Sequence, residues 1–141
     1  MASIFTKIIN GEIPGRIIWS DERCVAIVDI RPLHPGHCLV IPKEEVDEWT
    51  DLDPATAQHL VKVAHHIGAA QKLVVESARI GLLIAGFEVP HAHVHVVPIS
   101  SMAHLDFRNA DTNAKPEDLD AMAERLRKAL TAAGHREVRH S

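Results

Sequence analysis

The sequence predicts an α+β domain: an antiparallel sheet of about five strands, one long helix packed on it, and a second helix near the C-terminal end. Three observations carry this. Several short runs are rich in β-branched residues and are punctuated by Gly- and Pro-containing turns. One segment, beginning at residue 54, switches to helical spacing. The link between the last two strand candidates is too short for a crossover helix, so they are expected as antiparallel neighbours. The 141 residues suit one domain, able to hide roughly 70% of its unfolded surface.

IFTKII (4–9) is expected as a short helix or turn against the core, and GEIPG (11–15) as a turn. RIIWS (16–20) reads as a short strand. CVAIVDI (24–30) is a stronger strand and HCLVIP (37–42) another, closed by Pro42; RPLHPG joins them as a hairpin. Asp53 is placed to cap a helix whose first residue is Pro54. Leu60, Val63, Ile67, Ala70 and Val74 then recur on one stripe, leaving His59, His65 and His66 at the surface. RIGLLI (79–84) and HAHVHVV (91–97) are the last two strands. Residues 100–115 are polar and irregular. PEDLDAMAERLRKALTAAG (116–134) is a helix opened by Pro116, acidic early, basic late, and stopped by Gly134. Its buried face is Leu119, Met122, Ala123, Leu126 and Leu130. The last seven residues, HREVRHS, are expected to fray. The whole chain, 1–141, is one domain with its core in 3–98.

Composition excludes several classes. A net charge of −4 argues against general nucleic-acid binding, and 4% aromatics with no tyrosine argues against a base-stacking platform. No apolar run reaches membrane-spanning length and nothing resembles a signal peptide, so a cytoplasmic protein is expected. Cys24 and Cys38 lie in apolar runs and form no C-x-x-C, so they read as buried small hydrophobes.

PHAHVHVVP (90–98) stands out. Alternation along a strand sends His91, His93 and His95 to one face, neighbours about 6.6 Å apart, with Val94 and Val96 toward a core. A wet strand face accommodates polar residues, yet Ser, Lys or Thr would serve there as well as three imidazoles. Two chemical readings remain open. H-x-H can hold zinc with a third ligand, for which His37 or His34 is available. Alternatively, a neutral imidazole is a nucleophile near pH 7, if its other nitrogen is held and donors surround a phosphate.

HAHVHVV also matches the pattern His-φ-His-φ-His-φ-φ, with φ apolar. Residues 3–43, SIFTKIINGEIPGRIIWSDERCVAIVDIRPLHPGHCLVIPK, carry further specific elements in Asp29 to Pro32 and in PGHCLVIPK (35–43). On these residues the chain resembles the histidine triad family over 3 to about 98. The resemblance implies that family's fold, a homodimer to which residues 60–75 are expected to contribute, and hydrolysis or transfer at the α-phosphate of a purine nucleotide conjugate. It implies that His93 attacks phosphorus, that His95 contacts the phosphate and helps to protonate the leaving group, that His91 positions the others, and that His37 lies near the phosphate. Asp29 would accept the ribose hydroxyls, as carboxylates do in dinucleotide sites. Phe5, Ile8, Ile27 and Ile30 would form the slot for the base.

The chain also departs from the family pattern. Phe87 replaces the glutamine of an Ala-Gly-Gln element, no Asn or Gln occurs from 73 to 90, and Ile99 stands where an arginine is frequent. Glu88 is placed to reach the phosphate region through its backbone N–H or side chain. Ser3 and Thr6 replace the cysteines of zinc-binding members, so no metal is expected. No cofactor is required, although a polyphosphate substrate could bring Mg²⁺. The leading expectation is a phosphoramidate hydrolase. Its rivals are a dinucleoside polyphosphate hydrolase, a nucleotide sensor or scaffold with little turnover, and a plain zinc protein.

Overall fold

The computed structural model describes residues 2–140. Five strands, β1 (Ile17–Ser20), β2 (Cys24–Val28), β3 (Cys38–Pro42), β4 (Arg79–Leu83) and β5 (Val94–Ile99), form one sheet in the order β1-β2-β3-β5-β4. Every neighbouring pair is antiparallel. Helices α1 (Ile4–Ile9), α2 (Pro54–Val74) and α3 (Pro116–Ala132) cover it. The α+β fold expected from the sequence is the fold observed.

Both faces of the central strands are buried, which is why β2 and β3 read as unbroken apolar runs. Cys24, Ala26, Val28, Cys38, Val40, Val94 and Val96 join α2 and α3 in the larger core. The alternate residues Val25, Ile27, Leu39 and Ile41 form a second cluster with Ile17 and with Phe5 of α1. The register aligns Ile17, Ile27, Leu39 and His95 in one row across the sheet. His95 therefore belongs to the α1 face, and by the same alternation so does His37, one residue before β3.

Leu60, Val63, Ile67 and Ala70 of α2 are buried as their stripe predicts. The helix can lie close to the sheet at Gly68, where an added Cβ would come 3.2 Å from Ile80. Gln71, one turn further on, is fully buried; its Nε2 donates to the carbonyls of Gly36 and Val96, both at 2.8 Å. This side chain ties the loop carrying His37 to the strand carrying His95. Gly36 has φ +93°, and a Cβ there would approach Val75 to 2.9 Å, so a glycine is required.

Several expectations need correction. The strand expected at 91–97 begins at Val94, so His91 and His93 precede the ladder. The sequence left open what covers the three imidazoles; α1 and the turns after β5 close over them and bury them. Residues 137–139 are not frayed: Glu137 O accepts from Ser20 N, Arg139 N donates to Ile18 O, and Val138 pairs with Trp19. The unpaired edge of β1 supplies the partners a terminal segment lacks. His59 bonds Asp21 at 2.7 Å and the His66 ring stacks on Trp19, so only His65 of that trio is fully exposed. Residues 102–109 form two short 3₁₀ turns. Asp53 precedes α2 without a side-chain capping bond; Pro54 at the first turn sets the start.

Candidate active site

The loop after β2, the residue before β3, the entry to β5 and the 85–90 segment converge beside α1. His37 and His91 are wholly buried, and His93 and His95 nearly so. Phe5 packs edge-on against His91 and His93, with centroids 5.8 and 5.0 Å away. Phe107, from the second 3₁₀ turn, meets the His95 ring at 4.9 Å.

The protons of these rings can be placed by following fixed donors and acceptors. The Leu33 N–H donates to His37 Nδ1 at 3.0 Å, so the His37 proton is on Nε2. His37 Nε2 lies 2.9 Å from His95 Nδ1 and donates to it, which leaves the His95 proton on its own Nε2. That buried Nε2 has no hydrogen-bond partner. It is an unused donor facing the site. His93 Nδ1 lies 2.7 Å from the carbonyl of His91, which can only accept, so Nδ1 carries the proton. The nitrogen of His93 that faces outward is Nε2, and Glu88 Oε2 sits on it at 3.1 Å. Glu88 Oε1 is 4.0 Å from His95 Nε2.

Burial, reinforced by neighbouring histidines, pushes His37 down to about 3 and His95 down to about 4, so both are neutral near pH 7. Burial also lowers His91, against the opposing bond to Pro42. Burial raises the Asp29 carboxyl. Its Oδ1 accepts the Arg31 N–H, while Oδ2 lies 3.5 Å from His37 Nε2. Partial burial alone would raise Glu88, but a bond from its own backbone N–H and the nearby His93 and His95 outweigh it and hold the carboxyl below its ordinary range.

Glu88, His93 and His95 are close enough to share a cation, as are Asp29, His37 and His95. A ring nitrogen ligates metal through its lone pair, whereas the chain from Leu33 leaves a hydrogen on His95 Nε2 and on His37 Nε2.

His91 is held apart from this chemistry. Its Nε2 donates to Pro42 O at 2.7 Å and its Nδ1 accepts from Ser3 Oγ at 2.7 Å. Glu45 Oε1 accepts from Ser3 N at 2.7 Å and from the Thr6 hydroxyl at 2.6 Å. Ser3, Thr6, Glu45 and His91 thus close into one hydrogen-bonded cluster that fixes the carbonyl on which His93 leans.

The HIT domain family profile matches residues 10–102. The chain belongs to the HIT domain family. Among HIT proteins it is 39% identical over 102 residues to an uncharacterised HIT-like protein of Borreliella burgdorferi, spanning 67% of this chain and 73% of that one. A zinc-bound histidine triad family protein from Mycobacterium smegmatis has a similar structure, with TM-score 0.78 and 30% identity over 94% of this chain and 96% of that one. A hypothetical histidine triad nucleotide-binding protein from Sulfolobus tokodaii has TM-score 0.78 and 27% identity, covering 91% of each.

In this HIT domain the structure gathers His37, His91, His93, His95, Asp29 and Glu88 in one place, with Phe5, Ile8 and Ile27 in the adjoining apolar cluster. Ile30 differs: it is 61% exposed and packs in neither core, because the chain turns outward after Asp29. Gln71, Ser3 with Glu45, and Phe107 were not singled out from the sequence for this site. The only signal for Gln71 was a polar residue at the edge of an apolar helical stripe.

Proposed function

We propose that this HIT protein hydrolyses a purine nucleotide conjugate, a nucleoside phosphoramidate or a close analogue, at its α-phosphate through a nucleotidyl-His93 intermediate. The observation that carries this is the order of ring protons. His93 directs Nε2 outward while its Nδ1–H is held, and His95 directs an unused N–H to the same spot. A nucleophile and an oxyanion donor aimed at one position are what displacement at phosphorus needs. The base would lie on Phe5, Ile8 and Ile27, with exposed Ile30 at the rim, and the ribose hydroxyls would meet Asp29 Oδ2. His37 orients His95, and His91 holds His93. Neutral His95 has no spare proton at pH 7, which supports a donor role toward the phosphate over protonation of the leaving group.

No metal is required in this reading; Mg²⁺ would arrive only with a polyphosphate. Hydroxyls are poor zinc ligands, and in the cluster of Ser3, Thr6, Glu45 and His91 they are engaged by hydrogen bonds. The two buried free thiols suit a reducing compartment such as the cytoplasm. No helix among the described residues is long and apolar enough to cross a membrane.

Rapid base quench of a reaction with adenosine phosphoramidate plus a chelator, followed by peptide mass spectrometry, tests the proposal. A nucleoside monophosphate on His93 is the expected product. Turnover with no adduct at any time point would refute covalent catalysis. One observation favours a second reading, a nucleotide sensor with little turnover: Phe87, at the glutamine position, is 97% exposed and supplies no polar contact. Nucleotide binding without hydrolysis would select it.

A homodimer fits the two unequal sheet edges. The C-terminal segment covers β1, whereas β4 is open and flanked by an apolar groove that includes Leu60, Val61 and Ile84. Val61→Glu with Leu82→Glu is expected to convert the dimer to monomer in sedimentation equilibrium. A dimer that survives both charges would move the interface elsewhere.

A further inference from the structure

The covalent reaction proposed above needs a proton for its amine leaving group. His37 and His95 are neutral and each has its single N–H committed, to His95 Nδ1 and to the phosphate position respectively. The Asp29 carboxylate lies against His37, on the ribose side. Among the described residues, the one carboxyl in hydrogen-bond contact with His93 Nε2 is Glu88.

Glu88 Oε2 lies 3.1 Å from Nε2, in the direction of that nitrogen's hydrogen or lone pair. One proton must lie between a ring nitrogen and a carboxylate oxygen at this distance. A phosphorus attacked by Nε2 has to enter along the same line. Displacement at phosphorus is in line, so the group opposite the nucleophile is the one that leaves. A carboxyl pushed outward along this line ends beside the departing atom, and later beside the entering water. The loop permits the shift: Glu88 is 38% exposed, and nothing lies within 4 Å of where a Cβ on Gly86 would stand.

We propose that Glu88 is a catalytic residue that carries one proton through both half-reactions; this rests on the covalent reading given above. The contacts with His93 and His95 help to hold the Glu88 carboxyl low, so moving it away from them, beside an anionic phosphate, restores its hold on a proton. When substrate binds, the shared proton therefore leaves with Glu88 and the lone pair of His93 Nε2 is freed. The Nε2–P bond forms as the P–N bond to the leaving amine breaks, and the Glu88 proton passes to that nitrogen. Glu88 is then a carboxylate facing the phosphorus. Water attacks, its proton goes to Glu88, the O–P bond forms, and the Nε2–P bond pair returns to His93. The nucleoside monophosphate departs with the proton again between Glu88 and His93, so the cycle balances.

The test compares Glu88→Gln with the unaltered protein on two adenylate substrates. One has an alkylamine leaving group, which must be protonated; the other has p-nitrophenolate, which need not be. The variant is expected to lose on the order of 10²–10³-fold in the first step with the amine, in the range of general acid catalysis. With p-nitrophenolate it should lose less than about tenfold in that step, and adenylyl-His93 should accumulate because water lacks its base. Unchanged AMP affinity, and partial recovery in Glu88→Asp, would exclude a folding defect. Equal losses with both leaving groups would overturn the proposal, as would faster turnover, which would make Glu88 a plug. If the unaltered protein forms no adduct with either substrate, the covalent reading fails first and takes this one with it.

Discussion

Replacing His93 by Asn is expected to lower turnover by a factor on the order of 10⁴ or more while leaving nucleotide affinity within a few-fold. Asn is short, uncharged and able to donate to the His91 carbonyl as Nδ1 now does at 2.7 Å, so the entry to β5 should keep its course. What it cannot supply is a nitrogen lone pair directed outward. The neighbouring donor on His95, the carboxyl of Asp29 and the apolar cluster around Phe5 remain, and these supply binding. Single-turnover rates and an equilibrium titration with AMP separate the two effects. If the variant keeps activity within tenfold of the parent, phosphorus is attacked by something other than this ring. If both affinity and rate vanish and the unfolding transition is lost, the substitution has broken the fold and says nothing about the chemistry.

The second large effect is on stability against acid. His37 and His95 titrate near 6.5 in an unfolded chain but are pushed down to about 3 and about 4 in the fold, chiefly by burial. Between those limits the unfolded state binds protons that the folded state refuses. Stability is therefore complete above about pH 7 and falls as pH drops through 6.5 toward 4. Each such histidine contributes about 1.4 kcal/mol per pH unit, so the pair removes about 5 kcal/mol between roughly pH 6.5 and 4.5. Lowered His91 acts in the same direction. Asp29, whose carboxyl is raised, acts oppositely and returns part of the loss at lower pH. A domain of ordinary stability, about 5–15 kcal/mol, is brought near its limit by this alone. Urea midpoints at pH 7, 6 and 5 should fall steeply, and His95→Gln should flatten the slope by about one proton. Midpoints that stay constant over this range would mean that the fold accepts charged imidazoles here, contrary to their burial.

The fold was legible because each layer announces itself locally. The unbroken apolar, β-branched runs at 24–28 and 38–42, the helical stripe from Leu60 to Ala70, and Pro116 with Gly134 framing the last helix all act within a few residues of one another. The row of histidines was legible as chemistry for the same reason. Its surroundings were not. Ser3 meets His91 across 88 residues and Gln71 reaches Gly36 across 35, and neither pairing leaves a mark on sequence spacing. The burial of the triad was not legible because a strand pattern tells which side a residue takes, not what later folds over that side. The C-terminal segment was misjudged for a related cause: polarity and position argue for fraying, but an open strand edge elsewhere in the chain overrides both. The contact between Glu88 and His93 fell between these cases. The five-residue separation is short, yet it becomes a contact only because the chain turns back between Val89 and His91, where a backbone bond of 2.8 Å closes the bend.

The polarity of the whole relay starts at an amide of the main chain. Leu33 contributes no side-chain function to it; its peptide hydrogen alone decides which nitrogen of His37 is bare, and through that ring which end of His95 greets the ligand. Nineteen of the twenty residue types carry that hydrogen, so the tautomer order survives substitution there even though the Leu33 side chain is itself buried. Only an imino acid would erase the instruction and let both rings turn their tautomers around. Side chains in the surrounding loops can thereby change without altering the order of protons beneath them.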